Sequence, residues 1–291
     1  MVNVSRTVVE RVEPTLATFT ASDGYTFFYR RFLPPGQPRG RVIFIHGIQS
    51  HGGWYTRSCA KIAAAGYEVY FPDRRGSGLN RDRRGDMPSF RRVFDDYVEF
   101  IQALPQDGVP KFLGTISWGG KFGAGMSYRC PGLVDGLILL CPGIVSKVRQ
   151  SFFERLRVVA ARIVRPSRLF PIPLNDPTLF TSSPEWQRFL KEDPLALHHA
   201  TARLMFWSRG LDIYLRRSWK HAKLPVLLML AEKDAIIDND AVRAYVEKFP
   251  STDKQVMIYP EAYHTLEFED DGHPWLGDML AWLERRRVRE T

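Results

Sequence analysis

The chain is poor in cysteine: Cys59, Cys130 and Cys141 are the only three in 291 residues, and none forms a C-x-x-C pair. So few, and odd in number, they exclude a disulfide framework and point to a reducing compartment. Long apolar runs are also missing. The longest lies near Pro225 to Ala231, well short of the ~18 residues that suggest a spanning helix, so no transmembrane helix is expected. Met1 to Pro14 sets Arg6, Glu10, Arg11 and Glu13 among valines and lacks the continuous apolar core of a secretory signal. The predicted location is cytoplasmic. There is no internal repeat, no low-complexity tract and no His/Cys cluster with metal-ligand spacing, so neither a metal nor an organic cofactor is expected.

What is present is ordinary globular material. A hydrophobic fraction of 44% and a charged fraction of 25% exclude a disordered chain. The length exceeds that of a typical domain, but open α/β sheets run to ~250 residues as one unit. One elaborated domain is therefore predicted.

Alternating elements support that count. Ala17 to Phe32 places Asp23-Gly24 between two runs rich in Thr and aromatics and reads as a β-hairpin. Strands follow at Arg41 to His46, Tyr67 to Asp73, Lys111 to Ile116 and Gly136 to Cys141. Helices separate them near Trp54 to Ala65, Ser89 to Leu104 and Gly119 to Arg129. Such alternation implies a parallel sheet covered on both faces. The rhythm lapses over residues 144–222, where helical segments such as Val148 to Val164 alternate with Pro-rich pieces. It resumes with a strand at Leu224 to Ala231, a helix at Asp240 to Phe249, a strand at Lys254 to Tyr259 and a helix from Pro274 to Arg287. The expected organisation is a core of residues 1–143 and 223–291 with a helical cap inserted at 144–222.

The formal charge of +9 is concentrated in that insertion. Residues 144–222 hold fourteen Lys and Arg against six acids, an excess of eight, which leaves an excess of one for the remainder. A diffuse basic surface for nucleic acid is not what this distribution describes, and no nucleic-acid reading motif accompanies it. The Arg-rich end (Arg285, Arg286, Arg287, Arg289) is read as cations at a helix C-terminus, where they oppose the dipole.

Three segments carry chemistry. Phe112-Leu-Gly-Thr-Ile-Ser117-Trp-Gly-Gly120 runs from an apolar strand into a Gly-rich helix start, where a nucleophile elbow would lie. Gly119 supplies one of the two small neighbours such a turn needs, but Thr115 stands where the other is expected. A serine hydroxyl is a weak nucleophile unless a histidine removes its proton and a carboxylate orients that histidine. Asp234 follows the next-to-last apolar strand and His264 follows the last. All three then fall at carboxyl ends of strands, where open α/β sheets bind ligands. Asp238 and Asp240 stand close enough to Asp234 in sequence to compete for the acid's role. His46-Gly47-Ile48 ends an early strand and offers the Ile48 amide as one oxyanion donor; Trp118, after the nucleophile, offers the second.

With these residues assembled, the chain resembles the α/β-hydrolases of the monoacylglycerol lipase and lysophospholipase group, also called serine aminopeptidase-like hydrolases. The resemblance spans nearly the whole length. It is carried by His46-Gly-Ile-Gln-Ser-His51-Gly-Gly-Trp-Tyr55, by Pro72-Asp73-Arg-Arg-Gly76-Ser-Gly78, by Asp234 with Asp238, and by Ala262-Tyr263-His264. In the insertion it is carried by Pro173-Leu-Asn-Asp-Pro177 and Asp193-Pro-Leu195. Thr115 departs from it, since the group usually has Gly there.

The resemblance implies an α/β-hydrolase fold: a mostly parallel central sheet, helices on both faces and an inserted helical cap. It implies hydrolysis of carboxylic esters of single-acyl-chain lipids by Ser117, His264 and Asp234, with Ile48 and Trp118 as the oxyanion hole and no cofactor. A peptidase or small-ester esterase on the same fold, and a noncatalytic ligand binder, remain open. Phe152, Phe153, Leu156, Val159 and Ile163, with Leu204, Met205, Phe206, Trp207, Leu211, Tyr214 and Leu215, are read first as packing, since apolar side chains at helical spacing are core by default. An acyl tunnel or a membrane-facing lip is the alternative. A basic cap interleaved with such side chains suits peripheral contact with an anionic membrane.

Overall fold

The computed structural model describes residues 12–287. The reading of Met1 to Pro14 falls mostly outside that range, as does Arg289. An eight-stranded sheet forms the centre, in the order β1-β2-β4-β3-β5-β6-β9-β10. The edge hairpin β1 (Thr15–Thr20) and β2 (Thr26–Phe32) is antiparallel, and β2 also runs antiparallel to β4. From there the sheet is parallel through β3 (Gly40–Ile45), β4 (Tyr67–Pro72), β5 (Lys111–Ile116), β6 (Gly136–Leu140), β9 (Val226–Ala231) and β10 (Lys254–Tyr259). Strands β3, β4, β6 and β9 are buried at every position. That explains why β6 and β9 read as unbroken apolar runs: strands covered on both faces have no polar side to alternate with, and the buried charges of the other two, Arg41 on β3 and Glu68 on β4, pair at 2.9 Å.

The covering helices are α1 (Thr56–Ala64), α2 (Phe90–Ala103), α3 (Gly120–Arg129), α7 (Asn239–Glu247) and α8 (Trp275–Glu284). Their starts follow local chemistry. Ser89 caps α2 by accepting the Arg92 amide at 3.1 Å, and Asp238 caps α7 by accepting that of Ala241 at 3.0 Å. Such caps satisfy amides left orphaned in the first turn. Pro274 precedes the first residue of α8. Trp282 on that helix is fully buried and meets Phe112 of β5 edge-on, with ring centroids 5.8 Å apart. At the end of the helix, Arg286 pairs with Asp253 and Arg287 with Glu284.

Between β6 and β9 the chain adds no strand to the central sheet. It builds α4 (Phe152–Val164), β7 (Leu169–Pro171), α5 (Pro184–Glu192), β8 (His199–Thr201) and α6 (Ala202–Ser218). The antiparallel pair β7/β8 was not expected in an insertion read as helical segments alternating with Pro-rich pieces; three-residue strands leave no periodicity to detect. Helix α4 begins four residues later than the apolar pattern suggests, at a capping box in which Ser151 and Glu154 bond each other's backbone amides at 2.8 and 3.2 Å. Its inward face, Val158 and Ala161, packs with Phe170 and Ala202. Packing as the default reading holds for Leu204, Leu211 and Leu215, which are buried. It fails for Phe152, Phe153, Leu156, Val159 and Ile163, which are exposed; Phe153 and Ile163 keep 75% and 79% of their surface in solvent.

Candidate active site

Loops after β3, β5, β9 and β10 converge above the carboxyl edge of the sheet and bring the sequence-selected residues together. After β5 the chain turns sharply into a short 3₁₀ turn, Ser117 to Gly119, and then α3. Ser117 sits at φ +52°, a conformation that residues with a side chain rarely adopt. Its carbonyl is held by the Gly143 amide at 2.5 Å. Gly119 is required by space: a Cβ there would lie 2.4 Å from the Ile45 carbonyl oxygen.

His264 Nε2 lies 2.9 Å from Ser117 Oγ, and His264 Nδ1 lies 2.7 Å from Asp234 Oδ2. A carboxylate accepts, so Nδ1 carries the proton and Nε2 presents a lone pair to the serine hydroxyl. The other Asp234 oxygen accepts the Ile236 and Ile237 amides, both at 2.8 Å. These two amides fix the carboxylate's rotation, and they carry no side-chain signal by which sequence reading could find them. Asp234 and His264 are buried, and Ser117 is half-buried. The competing acids do other work: Asp238 caps α7, and exposed Asp240 lies 3.9 Å from Arg243.

Cys141 Sγ, the Asp234 carboxylate and the His264 ring also lie within 4.8 Å of one another. Burial pushes the Cys141 thiol well above its ordinary range, so it stays protonated. With both Asp234 oxygens already taken by His264 and by two amides, this donor set fits a hydrogen-bonded acid and base.

Ile48 lines the cavity over Ser117, and Trp118 follows the serine in the short 3₁₀ turn. Among the described residues no protein acceptor takes either backbone N–H. His46 prepares the first: its Nδ1 donates to the Gly47 carbonyl at 2.7 Å, while Nε2 accepts the Arg74 amide at 2.8 Å. That carbonyl belongs to the same peptide unit as the Ile48 N–H, so bonding it polarises the donor. Burial, with Arg74 nearby, keeps the His46 pKa well below its ordinary value and the ring neutral.

Residues 144–222 close over this arrangement. His51 and Asp193, two positions that carried the resemblance, meet at 2.9 Å, and Trp54 Nε1 donates to the same Asp193 oxygen at 2.6 Å. The Gly53 amide donates to His51 Nδ1 at 3.0 Å, so His51 donates through Nε2. The Phe180 ring stands edge-on to His264, centroids 5.8 Å apart. The cavity touching Ser117, Ile48 and His264 measures only about 10 Å³, the room of one water. Beside it, sharing Gln49, Trp54, Leu174 and Phe180, lies a chamber of about 230 Å³ whose lining also includes Asn175, Lys191 and His198.

Comparison with known proteins gives the same frame. Residues 36–271 match the family model of the serine aminopeptidases, S33. The chain belongs to this family. Among S33 family relatives, the monoacylglycerol lipase of Mycolicibacterium smegmatis is 24% identical over 273 residues, covering 91% of this chain and 95% of that protein. The human monoglyceride lipase is 25% identical over 272 residues, covering 91% and 89%. A soluble variant of the Saccharomyces cerevisiae monoglyceride lipase, solved with a substrate analog, superposes with a TM-score of 0.84 at 24% identity over 96% of this chain and 98% of that one. The S33 member described here therefore has the α/β-hydrolase fold.

Proposed function

We propose that this carboxylic ester hydrolase cleaves single-acyl-chain lipids, monoacylglycerol or lysophospholipid, through Ser117, His264 and Asp234. The observation that carries the reading is the unbroken hydrogen-bonded line from Asp234 Oδ2 through His264 to Ser117 Oγ. His264 takes the Ser117 proton as the oxygen attacks the acyl carbonyl, and the Ile48 and Trp118 amides hold the charge that develops. His264 then protonates the leaving alcohol and activates water to clear the acyl-enzyme, while Asp234 keeps the imidazole tautomer and stabilises its cation. Preorganised amides matter most at the charged intermediate, where one donor contributes about 3 to 4 kcal/mol.

Residues 144–222 serve as the cap in this reading. The chamber beside the serine is lined by both apolar and polar side chains, as an amphipathic ester requires, and the names of the relatives point to monoacylglycerol. Room for one water over Ser117 means that the cap shifts when substrate enters. The outward face of α4, flanked by exposed Arg149, Arg155, Arg157 and Arg165, suits peripheral docking on anionic lipid, where apolar insertion and phosphate attraction add together.

A fluorophosphonate probe followed by mass spectrometry tests the nucleophile: the adduct is expected on Ser117 and is absent from Ser117→Ala. A panel of monoacylglycerol, lysophospholipid, short p-nitrophenyl esters and aminoacyl amides tests the substrate. Turnover of the amides alone would replace the lipid reading with a peptidase. An unlabelled Ser117 in folded protein would leave only a binding role.

A further inference from the structure

Arg74 has no place in the mechanism above, yet it is buried immediately behind the oxyanion loop. Only 3% of its surface is exposed. Its Nη2 donates to the Ile48 carbonyl at 3.0 Å, and its guanidinium lies 4.8 Å from the centre of the Trp118 ring. One side chain thus touches both residues whose amides serve as oxyanion donors in the proposed mechanism. Its backbone amide bonds His46 Nε2, which directs the His46 Nδ1 proton onto the Gly47 carbonyl. Both carbonyls flanking Ile48, those of Gly47 and of Ile48 itself, are therefore hydrogen-bonded by the chain of residues that Arg74 anchors.

Beyond the Ile48 carbonyl and the face of the Trp118 ring, the charge has no anionic partner among the described residues. Nε and Nη1 have no hydrogen-bond partner among the described residues, and no carboxylate there pairs with the guanidinium. The neighbouring carboxylate, Asp73, is committed to Arg30 at 3.0 Å and to the Gly52 and Leu79 amides at 2.7 and 2.9 Å. The two other arginines of the region are paired: Arg75 with Asp96 and Asp23, and Arg92 with Asp96 and Glu99. A buried cation without a counter-charge is costly to the folded state, and a group left in that condition calls for an explanation.

We propose that Arg74 is a positioning residue of the oxyanion hole: it clamps Ile48 and Trp118 in place, and its buried positive charge gains a paired negative charge only when the tetrahedral oxyanion forms between them. A charge balanced in the transition state and not in the resting enzyme lowers the barrier without tightening substrate binding. The inference rests on the serine-hydrolase reading of the site.

Arg74→Met tests it, because structural and catalytic roles predict opposite results. Replacing a buried charge by an apolar side chain of similar length leaves a fold as stable or more so, so Tm is expected to hold or rise. Meanwhile kcat is expected to fall about ten- to hundredfold with KM nearly unchanged. Affinity for a trifluoromethyl ketone carrying the substrate acyl chain should fall by the same factor as kcat. Arg74→Gln, neutral but still able to bond the Ile48 carbonyl, should lose the part of kcat that depends on the charge, less than Arg74→Met loses, and serves if the Met variant does not fold. A folded variant with wild-type kcat, or a loss confined to KM, overturns the proposal. Fluorophosphonate labelling of the wild type separates the two claims: no adduct on Ser117 defeats the hydrolase reading, whereas a labelled wild type with an equally fast Arg74→Gln defeats only the role of Arg74.

Discussion

The Thr115 side chain fills the space that Gly123 leaves open: a Cβ built on Gly123 would stand 2.7 Å from Thr115 Cγ2 and 2.9 Å from its Oγ1. The elbow's missing small residue on β5 is thus compensated one turn into α3, and Thr115 Oγ1 donates to the Ile138 carbonyl at 3.2 Å.

This pairing predicts a reversal of sign. In the wild type, Gly123→Ala forces overpacking that costs about 1 to 3 kcal/mol, more than the ~1 kcal/mol that Ala gains over Gly in a helix. Fully buried, β-branched Thr115 cannot turn away. In a Thr115→Gly background the closest contacts are gone, leaving Leu137 Cδ1, the end of a flexible side chain, 3.0 Å from the added Cβ; once Leu137 gives by a few tenths of an ångström, the same Gly123→Ala change should stabilise. Urea unfolding of the four proteins in the cycle checks it; destabilisation in both backgrounds would show that something other than Thr115 requires Gly123.

Asp234→Asn offers a test of the acid that Asp238 cannot imitate. An amide at 234 that still accepts from Ile236 and Ile237 presents its NH₂ to His264 and favours the wrong imidazole tautomer, which in a Ser-His-Asp site costs about 10⁴ in kcat. Asp238→Asn should stay within a few-fold of wild type, because its side chain bonds the Ala241 amide and asparagine caps helices as well as aspartate. Steady-state kinetics on one short ester suffices for both.

Much of this was legible in the sequence because it was written in side chains. Ser117, Asp234 and His264 each follow the carboxyl end of a strand, and strands as apolar as β6 and β9 announce a sheet covered on both sides. What escaped was carried by backbone and by contact across the insertion. The Ile236 and Ile237 amides, the Gly143 amide behind Ser117 and the short β7/β8 pair have no residue-type signature. The outward turn of α4 was misjudged for a different reason. Helical spacing says that Phe152, Leu156, Val159 and Ile163 share a face, but it cannot say whether a neighbour covers that face.

That uncovered face makes a prediction about lipid. With exposed Phe152, Phe153 and Ile163 standing among arginines, wild-type protein should co-sediment with vesicles containing anionic lipid and release as salt rises, since surface charges are screened over about 10 Å at 0.1 M. Phe152→Ser with Phe153→Ser should weaken binding at every salt concentration. Arg155→Gln with Arg157→Gln should remove mainly the salt-sensitive part, each basic residue near such a surface contributing about 1 kcal/mol. Binding that is indifferent to both anionic lipid and salt would remove the docking role. Turnover of a soluble short ester should be unaffected in all variants.

Glu267 predicts how stability follows pH. Its carboxyl is buried beneath the His264 loop, and burial raises its pKa to about 7, outweighing the Ser58 amide at 3.1 Å and the positive charges of Arg57 and Lys61 on α1. Its second oxygen, Oε2, has no partner among the described residues. An unfolded glutamate titrates near 4.3, so between roughly pH 4.5 and 7 the folded state holds a proton that the unfolded state has lost. Stability from this group is therefore fully present at the acid end, declines as pH rises through that window, and is gone above about 7, a change on the order of 3 kcal/mol. Glu267→Gln keeps the shape and a neutral polar group at all pH. Relative to wild type it should be close to neutral at pH 5 and more stable at pH 8, with the difference growing between them. Urea unfolding at pH 5, 6.5 and 8 measures it; a Gln variant that runs parallel to wild type across the window would mean that Glu267 is ionised in the fold, with Arg57 close enough to hold its charge.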